Sequence, residues 1–254
     1  MKIIRFAIGR RIDYGILNGD IVRCISGTPY RQLKYSDQSY NLGEVKILCP
    51  CTPSKLVAVG LNYYSHAEEL KMAIPSEPLL FMKPSTSVIG PEDNIAYPES
   101  SERVDYEAEL GVVIKTRTCK VPVEKALNYV LGYTCFNDIT ARDLQNKDGQ
   151  WTRAKGFDTF AAIGPAIETE LDPGNANLEA MLNGVRKQMV NTSDLIFSVP
   201  ELVSFISNIM TLLPGDVIAT GTPVGIGPMH PGDTVEIKID GIGTLRNYVV
   251  KNGE

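Results

Sequence analysis

The stretch VDYEAELGVVI, Val104 to Ile114, sets the reading of the whole chain. Val104, Tyr106, Ala108 and Leu110 alternate with Asp105, Glu107 and Glu109, the two-residue period of a strand with one apolar and one acidic face. From Leu110 the pattern becomes LGVVI, a run expected of a strand buried on both faces. Residues two apart on a strand project to one side, with Cα atoms roughly 6 to 7 Å apart. Two carboxylates about 6 Å apart at an effective dielectric of about 20 repel by roughly 3 kcal/mol. Water or a cation must offset that repulsion. Two readings of Glu107 and Glu109 therefore stand: a solvated strand face, or a metal held at the end of a buried strand.

Outward from this stretch, β patterns dominate. MKIIRFAIG and RIDYGILNGDIVRCI alternate and share an Asn18-Gly19 turn, which predicts a small β-rich N-terminal unit over residues 1–50. CPCTPSK, Cys49 to Lys55, reads as a linker into a larger domain over 51–254. There KLVAVGLN, FMKPSTSVIGP, LGYTCFN and DVIATG predict strands, and DTVEIKIDGIGTLRNYVV predicts a hairpin around Asp240-Gly241. YYSHAEELKM, VPVEKALNYV, ITARDLQNK and VPELVSFISNIM predict helices, the last with Pro200 in its first turn. PGD occurs at Pro214 and again at Pro231, as two similar turns into strands. Many strands, few helices and no regular βαβ alternation predict an α+β fold, mostly β.

The chain has 254 residues, enough to bury a core without disulfide or metal staples. Its net charge of -5 and the lack of basic runs with interleaved aromatics argue against nucleic acid as a partner. No apolar run approaches a membrane span, and the N-terminus lacks a signal-peptide pattern. Five cysteines, an odd number, then favour free thiols in a reducing compartment and a cytoplasmic location. The two histidines, His66 and His230, and the single-residue spacing of Cys49 and Cys51 argue against a zinc hydrolase.

Several further residues could carry chemistry. Asp138 follows a predicted strand and precedes a predicted helix, so it is either an N-cap or a third carboxylate beside Glu107 and Glu109. Three such acids would form an all-oxygen site suited to Mg²⁺, Mn²⁺ or Ca²⁺. His66 lies three residues before Glu69, on one helix face, where the carboxylate can orient the imidazole. Its alternatives are a structural histidine and a general base. Lys155, in RAKGFDTFAAIGP, is either a surface lysine or a cation placed to stabilise an enolate or oxyanion. GTPVGIG, Gly221 to Gly227, follows a strand but leads into no helix, which excludes a nucleotide fingerprint. It reads as a glycine-rich loop whose backbone approaches a ligand or another strand.

Six segments in order, VAVGLNYYSHAEEL, FMKPSTSVIGP, VDYEAELGVVI, GYTCFNDITARDLQ, KGFDTFAAIGP and LLPGDVIATGTPVGIG, resemble the fumarylacetoacetate hydrolase family from about Lys55 to Val249. The resemblance implies a rolled mixed β-sheet catalytic domain, a small N-terminal domain and a homodimer. It implies Mg²⁺ or Mn²⁺ on Glu107, Glu109 and Asp138, with Ca²⁺ as a possible substitute, and water activation by His66 and Glu69 on a mobile lid. It implies a catalytic role for Lys155 and substrate contacts from Arg142, Gln145 and Thr222. The implied substrates are small 2-oxo acids or their enols. The implied reactions are acylpyruvate C–C hydrolysis, oxaloacetate-type decarboxylation and hydroxydienoic diacid isomerisation through a metal-stabilised enolate. Length and N-terminal unit are similar to the homocatechuate-pathway isomerase/decarboxylase and acylpyruvase group. The alternative is a non-catalytic binding protein on the same fold; an intact His66, Glu69 and Lys155 argue against it.

Overall fold

Val104 to Ile114 forms two strands where the alternation predicts one. In the computed structural model, which describes residues 1–69 and 71–253, Val104–Tyr106 and Ala108–Ile114 belong to different sheets. Leu70, within the predicted YYSHAEELKM helix, and Glu254, at the end of the predicted larger domain, lie outside the described residues. Val104–Tyr106 pairs antiparallel with Thr140–Ala141 and Gly227–Met229. Ala108–Ile114 pairs with Val130–Asp138 on one side and Val217–Ala219 on the other. Glu107 is the residue at which the chain changes sheets.

The large sheet has twelve strands. Its main path runs Tyr35–Asn41, Ile21–Ile25, Arg11–Asn18, Lys2–Ile8, Ala161–Glu168, Val130–Asp138, Ala108–Ile114, Val217–Ala219, Leu56–Val59 and Leu80–Lys83. Pairing is mostly antiparallel, with Val217–Ala219 parallel to Leu56–Val59. The N-terminal meander joins this sheet through Lys2 and Ile3 opposite Glu168 and Ile167. A third sheet of five strands carries LEAMLNGVRKQMVN within a hairpin, Asn177–Leu182 and Val185–Asn191, beside the predicted C-terminal hairpin Thr234–Ile239 and Gly243–Lys251. The fold is thus mostly β with mixed sheets, as the pattern predicts.

Both faces of Ala108–Ile114 are covered, which explains its unbroken apolar run. Leu110, Val112 and Ile114 join one core with Tyr133, Cys135 and Val203. Val113 joins a second with Ile3, Leu56, Phe136 and Val217. Glu107 and Glu109 share the face of Val113, so the acids continue a core face.

Helices are few. Val199–Ile209 starts with the predicted Pro200 and a reciprocal Ser198–Glu201 capping box, and buries Val199, Leu202, Val203 and Ile206. VPVEKALNYV is a 3₁₀ turn, Val123–Tyr129, in place of the predicted α-helix. It buries Ala126 alone, too little apolar contact to hold a longer helix. No described helix is long and apolar enough to cross a membrane.

The two PGD turns are built alike. Asp216 N donates to Leu213 O at 3.0 Å and Asp233 N to His230 O at 3.0 Å. Each carboxylate reaches back to the same starting residue: Leu213 N donates to Asp216 Oδ2 at 2.8 Å and His230 N to Asp233 Oδ2 at 2.7 Å. Gly215 (φ +89°) and Gly232 (φ +99°) supply the left-handed residue each turn requires. Their surroundings differ. Asp216 is fully buried and also accepts from Ser54 N, Ser54 Oγ and Lys55 Nζ, which ties the linker to the large sheet. Asp233 is half-buried. Asp216→Ala should therefore cost about 3 to 5 kcal/mol, as expected when one partner of a buried ion pair is removed. Asp233→Ala should cost about 1 kcal/mol. Chemical denaturation of the two variants measures the gap; equal losses would show that the buried contacts of Asp216 add nothing.

Candidate metal centre and its cavity

Register places the three acids together. Ala108 lies opposite Asn137 and Glu109 opposite Phe136, so the same alignment sets Glu107 against Asp138. Asp138 N donates to Glu107 O at 2.9 Å, which continues the ladder across the sheet change. Glu107, Glu109 and Asp138 then share one face, and their carboxylate oxygens lie within 4.8 Å of one another. All three are buried, Asp138 completely. The N-cap alternative for Asp138 fails: it is the last residue of its strand, and the helix Arg142–Asp148 starts after Ala141.

Like charges opposed across a strand pair are destabilising, and cations answer them here. Lys155 Nζ donates to Glu107 Oε2 at 2.7 Å and to Asp138 Oδ2 at 2.6 Å. Lys83 Nζ donates to Asp138 Oδ1 and, at 3.0 Å, to Ile139 O. Arg142 donates to Glu107 Oε1, to Asp105 Oδ2 at 2.9 Å and to Gln145 Oε1 at 2.5 Å. Asp105 is also gripped by Arg103 at 2.8 Å. Lys155 is buried, not the surface lysine of its alternative reading. A one-turn helix, Thr152–Lys155, aims it inward. Gly156 closes that turn because a β-carbon there would meet Thr152 O at 2.4 Å.

Glu109 stands apart. It accepts a hydrogen bond from Gly221 N at 2.7 Å, and among the described residues it has no ion-pair partner. Burial, reinforced by the charges of Asp138 and Glu107, pushes its carboxyl well above the usual carboxylate range. Glu107 moves the other way: burial opposes ionisation, but Lys155 and Arg142 bring it down to about 2. Burial lowers the Lys83 ammonium to about 8 against the pull of Asp138. For Lys155 burial is outweighed by Asp138 and Glu107, and its pKa rises.

This charged cluster opens on a cavity of about 340 Å³. Glu107, Glu109, Lys155, Arg142, Gln145, Thr222 and His66 all line it. Asp138 lies behind Lys155, and Glu69 reaches the cavity through His66, whose Nδ1 is 2.9 Å from Glu69 Oε2. Thr222 Oγ1 accepts from Gln188 Nε2 at 3.0 Å, and Gln188 Oε1 accepts from Ala108 N at 3.0 Å, so this buried glutamine ties the GTP loop to the start of the strand. The helix Tyr64–Glu69 rests on the body of the protein: Tyr63 is fully buried, and Ser65 Oγ donates to Asp194 Oδ2 at 2.6 Å.

Hard oxygen donors fit a divalent cation. The oxygens Glu107 Oε2 and Asp138 Oδ2 already accept one cationic group, the ammonium of Lys155, and Glu109 is a buried carboxylate with no cation. Residues missed from sequence are Lys83, Asp105 as an anchor for Arg142, Gln188, and the aromatic wall of Phe81 and Trp151. A lysine ending the apolar run LLFM was the available signal for Lys83; Gln188 carried none.

Lys155→Met should lower the stability of the metal-free protein by about 3 kcal/mol or more, because two buried carboxylates lose their shared cation. Added Mn²⁺ should raise its melting temperature more than that of the wild type, since a second cation restores the charge balance. Differential scanning calorimetry with and without Mn²⁺ tests this. An equal Mn²⁺ shift in both proteins would separate the metal from the oxygens that Lys155 holds.

Residues 55–250 match the family model described as fumarylacetoacetate (FAA) hydrolase, C-terminal, and residues 1–50 match one described as Rv2993c-like, N-terminal. An uncharacterized protein of Archaeoglobus fulgidus is 60% identical over 210 residues, 83% of this chain and 84% of that protein. The structure of 5-carboxymethyl-2-hydroxymuconate delta-isomerase from Mycobacterium smegmatis superposes with a TM-score of 0.95 at 42% identity, covering 99% of this chain and 100% of that one. Maleylpyruvate hydrolase from Sphingobium sp. SYK-6, solved with manganese(II) and pyruvate, gives 0.82 at 29% identity, with 99% and 100% covered.

Proposed function

The chain belongs to the fumarylacetoacetate hydrolase family, an enzyme family, and from that premise we propose that it is a Mg²⁺- or Mn²⁺-dependent enzyme acting on small 2-oxo acids. Of the reactions open to the fold, C–C hydrolysis of acylpyruvates fits its residues best. The observation that carries the reading is Glu109, a buried carboxylate without a cation, beside two others and facing a cavity that also holds His66 and Lys155. A manganese- and pyruvate-bound relative on the same fold supports it.

A divalent ion held by Glu107, Glu109 and Asp138 would supply Lewis acidity toward the oxygens of a 2-oxo carboxylate. The remaining work falls to the chain's own side chains. Lys155 presents a fixed positive charge to the enolate oxygen that gains charge when the C–C bond breaks. Glu69 holds His66 through Nδ1, which leaves Nε2 to take a proton from water. Hydroxide then adds to the 4-carbonyl carbon of a 2,4-dioxo acid. The bond between C3 and C4 breaks, its electron pair goes to C3 as the pyruvate enolate, and a proton quenches that enolate. Arg142, locked by Asp105 and Glu107, and Gln145 orient polar oxygens, and Thr222 does so from the opposite loop. Closure of the segment bearing His66 and Glu69 over a bound substrate would exclude bulk water during turnover.

A panel of acylpyruvates, oxaloacetate and hydroxydienoic diacids, with product identification, tests the reading. Activity should vanish on chelation and return with Mg²⁺ or Mn²⁺, and the preferred reaction should yield pyruvate and a carboxylic acid. Turnover that is indifferent to chelation would refute the metal role. His66→Ala should retain Mn²⁺ binding by calorimetry and lose at least 100-fold in hydrolytic kcat, the order expected for a missing general base. Unchanged kcat would remove His66 from the chemistry.

A further inference from the structure

A second cavity, of about 330 Å³, lies where the linker meets the first strand and the loop that follows Lys83. Cys49 and Cys51 both line it, with Arg5, Ser85, Gly90 and Asp93. Among the described residues it shares no lining residue with the cavity of the candidate metal centre. Residues two apart on an extended strand have Cα atoms roughly 6 to 7 Å apart, near the upper limit for a disulfide. Here the chain bends at Pro50, between the two cysteines. Cys49 Sγ donates to Cys51 O at 3.1 Å, so the first sulfur already lies against the second residue. Both side chains are buried, Cys51 completely, and the cavity is their route to solvent. Gly90 keeps the covering loop close, since a β-carbon there would meet Cys49 N at 2.5 Å.

The charges around the pair are fixed by the fold. Register sets Arg5 opposite Leu48, and its guanidinium donates to Cys49 O at 3.5 Å. Asp93, the one acid on this wall, is engaged by Gly90 N at 2.9 Å and by Lys46 Nζ at 3.4 Å. A hydrogen bond from the Cys51 thiol holds the Cys49 thiol below its ordinary value against burial, and the charge of Arg5 adds to the effect. The same hydrogen bond, with burial, pushes Cys51 up. One sulfur is set to act as the nucleophile, and the other keeps its proton until the first has reacted.

We propose that Cys49 and Cys51 form a reversible redox site, oxidised to an intramolecular disulfide by hydrogen peroxide and reopened by a dithiol reductant. The Cys49 thiolate attacks one peroxide oxygen, the O–O bond breaks, and hydroxide leaves, which makes a sulfenic acid. Cys51 gives its proton to that hydroxide and attacks the Cys49 sulfur. The S–S bond forms, the S–O bond breaks, and the second hydroxide takes up the proton that Cys49 released on ionising. Two thiols and one peroxide thus yield one disulfide and two waters. A dithiol reopens the bridge by thiol–disulfide exchange and is itself oxidised to a disulfide. The bridge closes within the linker, between the N-terminal meander and the larger domain.

Peptide mapping tests this directly. Trypsin cuts after Lys46 and Lys55, so one peptide, Ile47 to Lys55, carries both sulfurs and none of the other three cysteines. The folded protein is treated with limiting peroxide, quenched with N-ethylmaleimide, digested and weighed. That peptide should be lighter by two hydrogens and carry no maleimide, while Cys24, Cys119 and Cys135 are still labelled. Dithiothreitol before the quench should restore two labels. Cys119, the exposed thiol, is the internal reference for unselective oxidation. Cys51→Ser should stop at a Cys49 sulfenic acid that dimedone traps, and Cys49→Ser should leave Cys51 reduced. The wild-type map needs no variant, so it decides the matter even if a substitution in this core prevents folding. A peptide that kept both thiols while Cys119 oxidised, or that ended as a sulfinic acid without a bridge, would overturn the proposal. Oxidation of Cys51 in Cys49→Ser as fast as in the wild type would overturn the order of attack.

Discussion

Burial of like charge is the constraint around which the rest of this structure is arranged. Glu107 and Asp138 face each other across a strand pair, and Glu109 lies one step along the same face. Together with Asp105 they bring four carboxylates into the interior. Lys155, Lys83 and Arg142 come from three other segments to compensate them, and each needs its own backbone placement. The break at Glu107 lets the chain serve two sheets and still present both glutamates to one side. The turn at Gly156, the Asp105 anchor and the Gln188 strut follow from the same need.

That arrangement leaves Glu109 without a cation, and here stability and chemistry part company. A sequence under selection for stability alone would have little reason to keep an uncompensated acid inside a sheet. A protein that binds a small hard cation has one, since the ion supplies the missing charge. The pairing of Lys155 with two of the same oxygens places its ammonium beside any such ion, where it can respond to charge on a bound substrate.

Much of this was legible in the sequence because it is local. The alternation of VDYEAEL, the unbroken LGVVI, the i to i+3 spacing of His66 and Glu69, and the PGD turns all depend on neighbours within a few residues. What escaped depends on distant pairing. Nothing within VDYEAELGVVI says that Tyr106 and Ala108 hydrogen-bond to different sheets. Asp138 has the composition of a helix cap, and register alone makes it the partner of Glu107. Lys83 lies in the predicted strand FMKPSTSVIGP, and its burial against Asp138 is visible only in three dimensions. VPVEKALNYV has helical spacing but buries too little to hold an α-helix.

The large sheet is open, with two ends of different character. One end is the strand Leu80–Lys83, which lends Phe81 to the cavity and Lys83 to the acids. The other is Tyr35–Asn41, the outermost strand of the N-terminal meander, whose sequence YSDQSYN is polar and largely exposed. A free edge of unpaired backbone groups is a template for adding strands from other molecules. An edge short of apolar side chains gives an incoming strand little to bury. The polar, exposed edge Tyr35–Asn41 is therefore a poor template for added strands, whereas the opposite edge carries two residues of the candidate site.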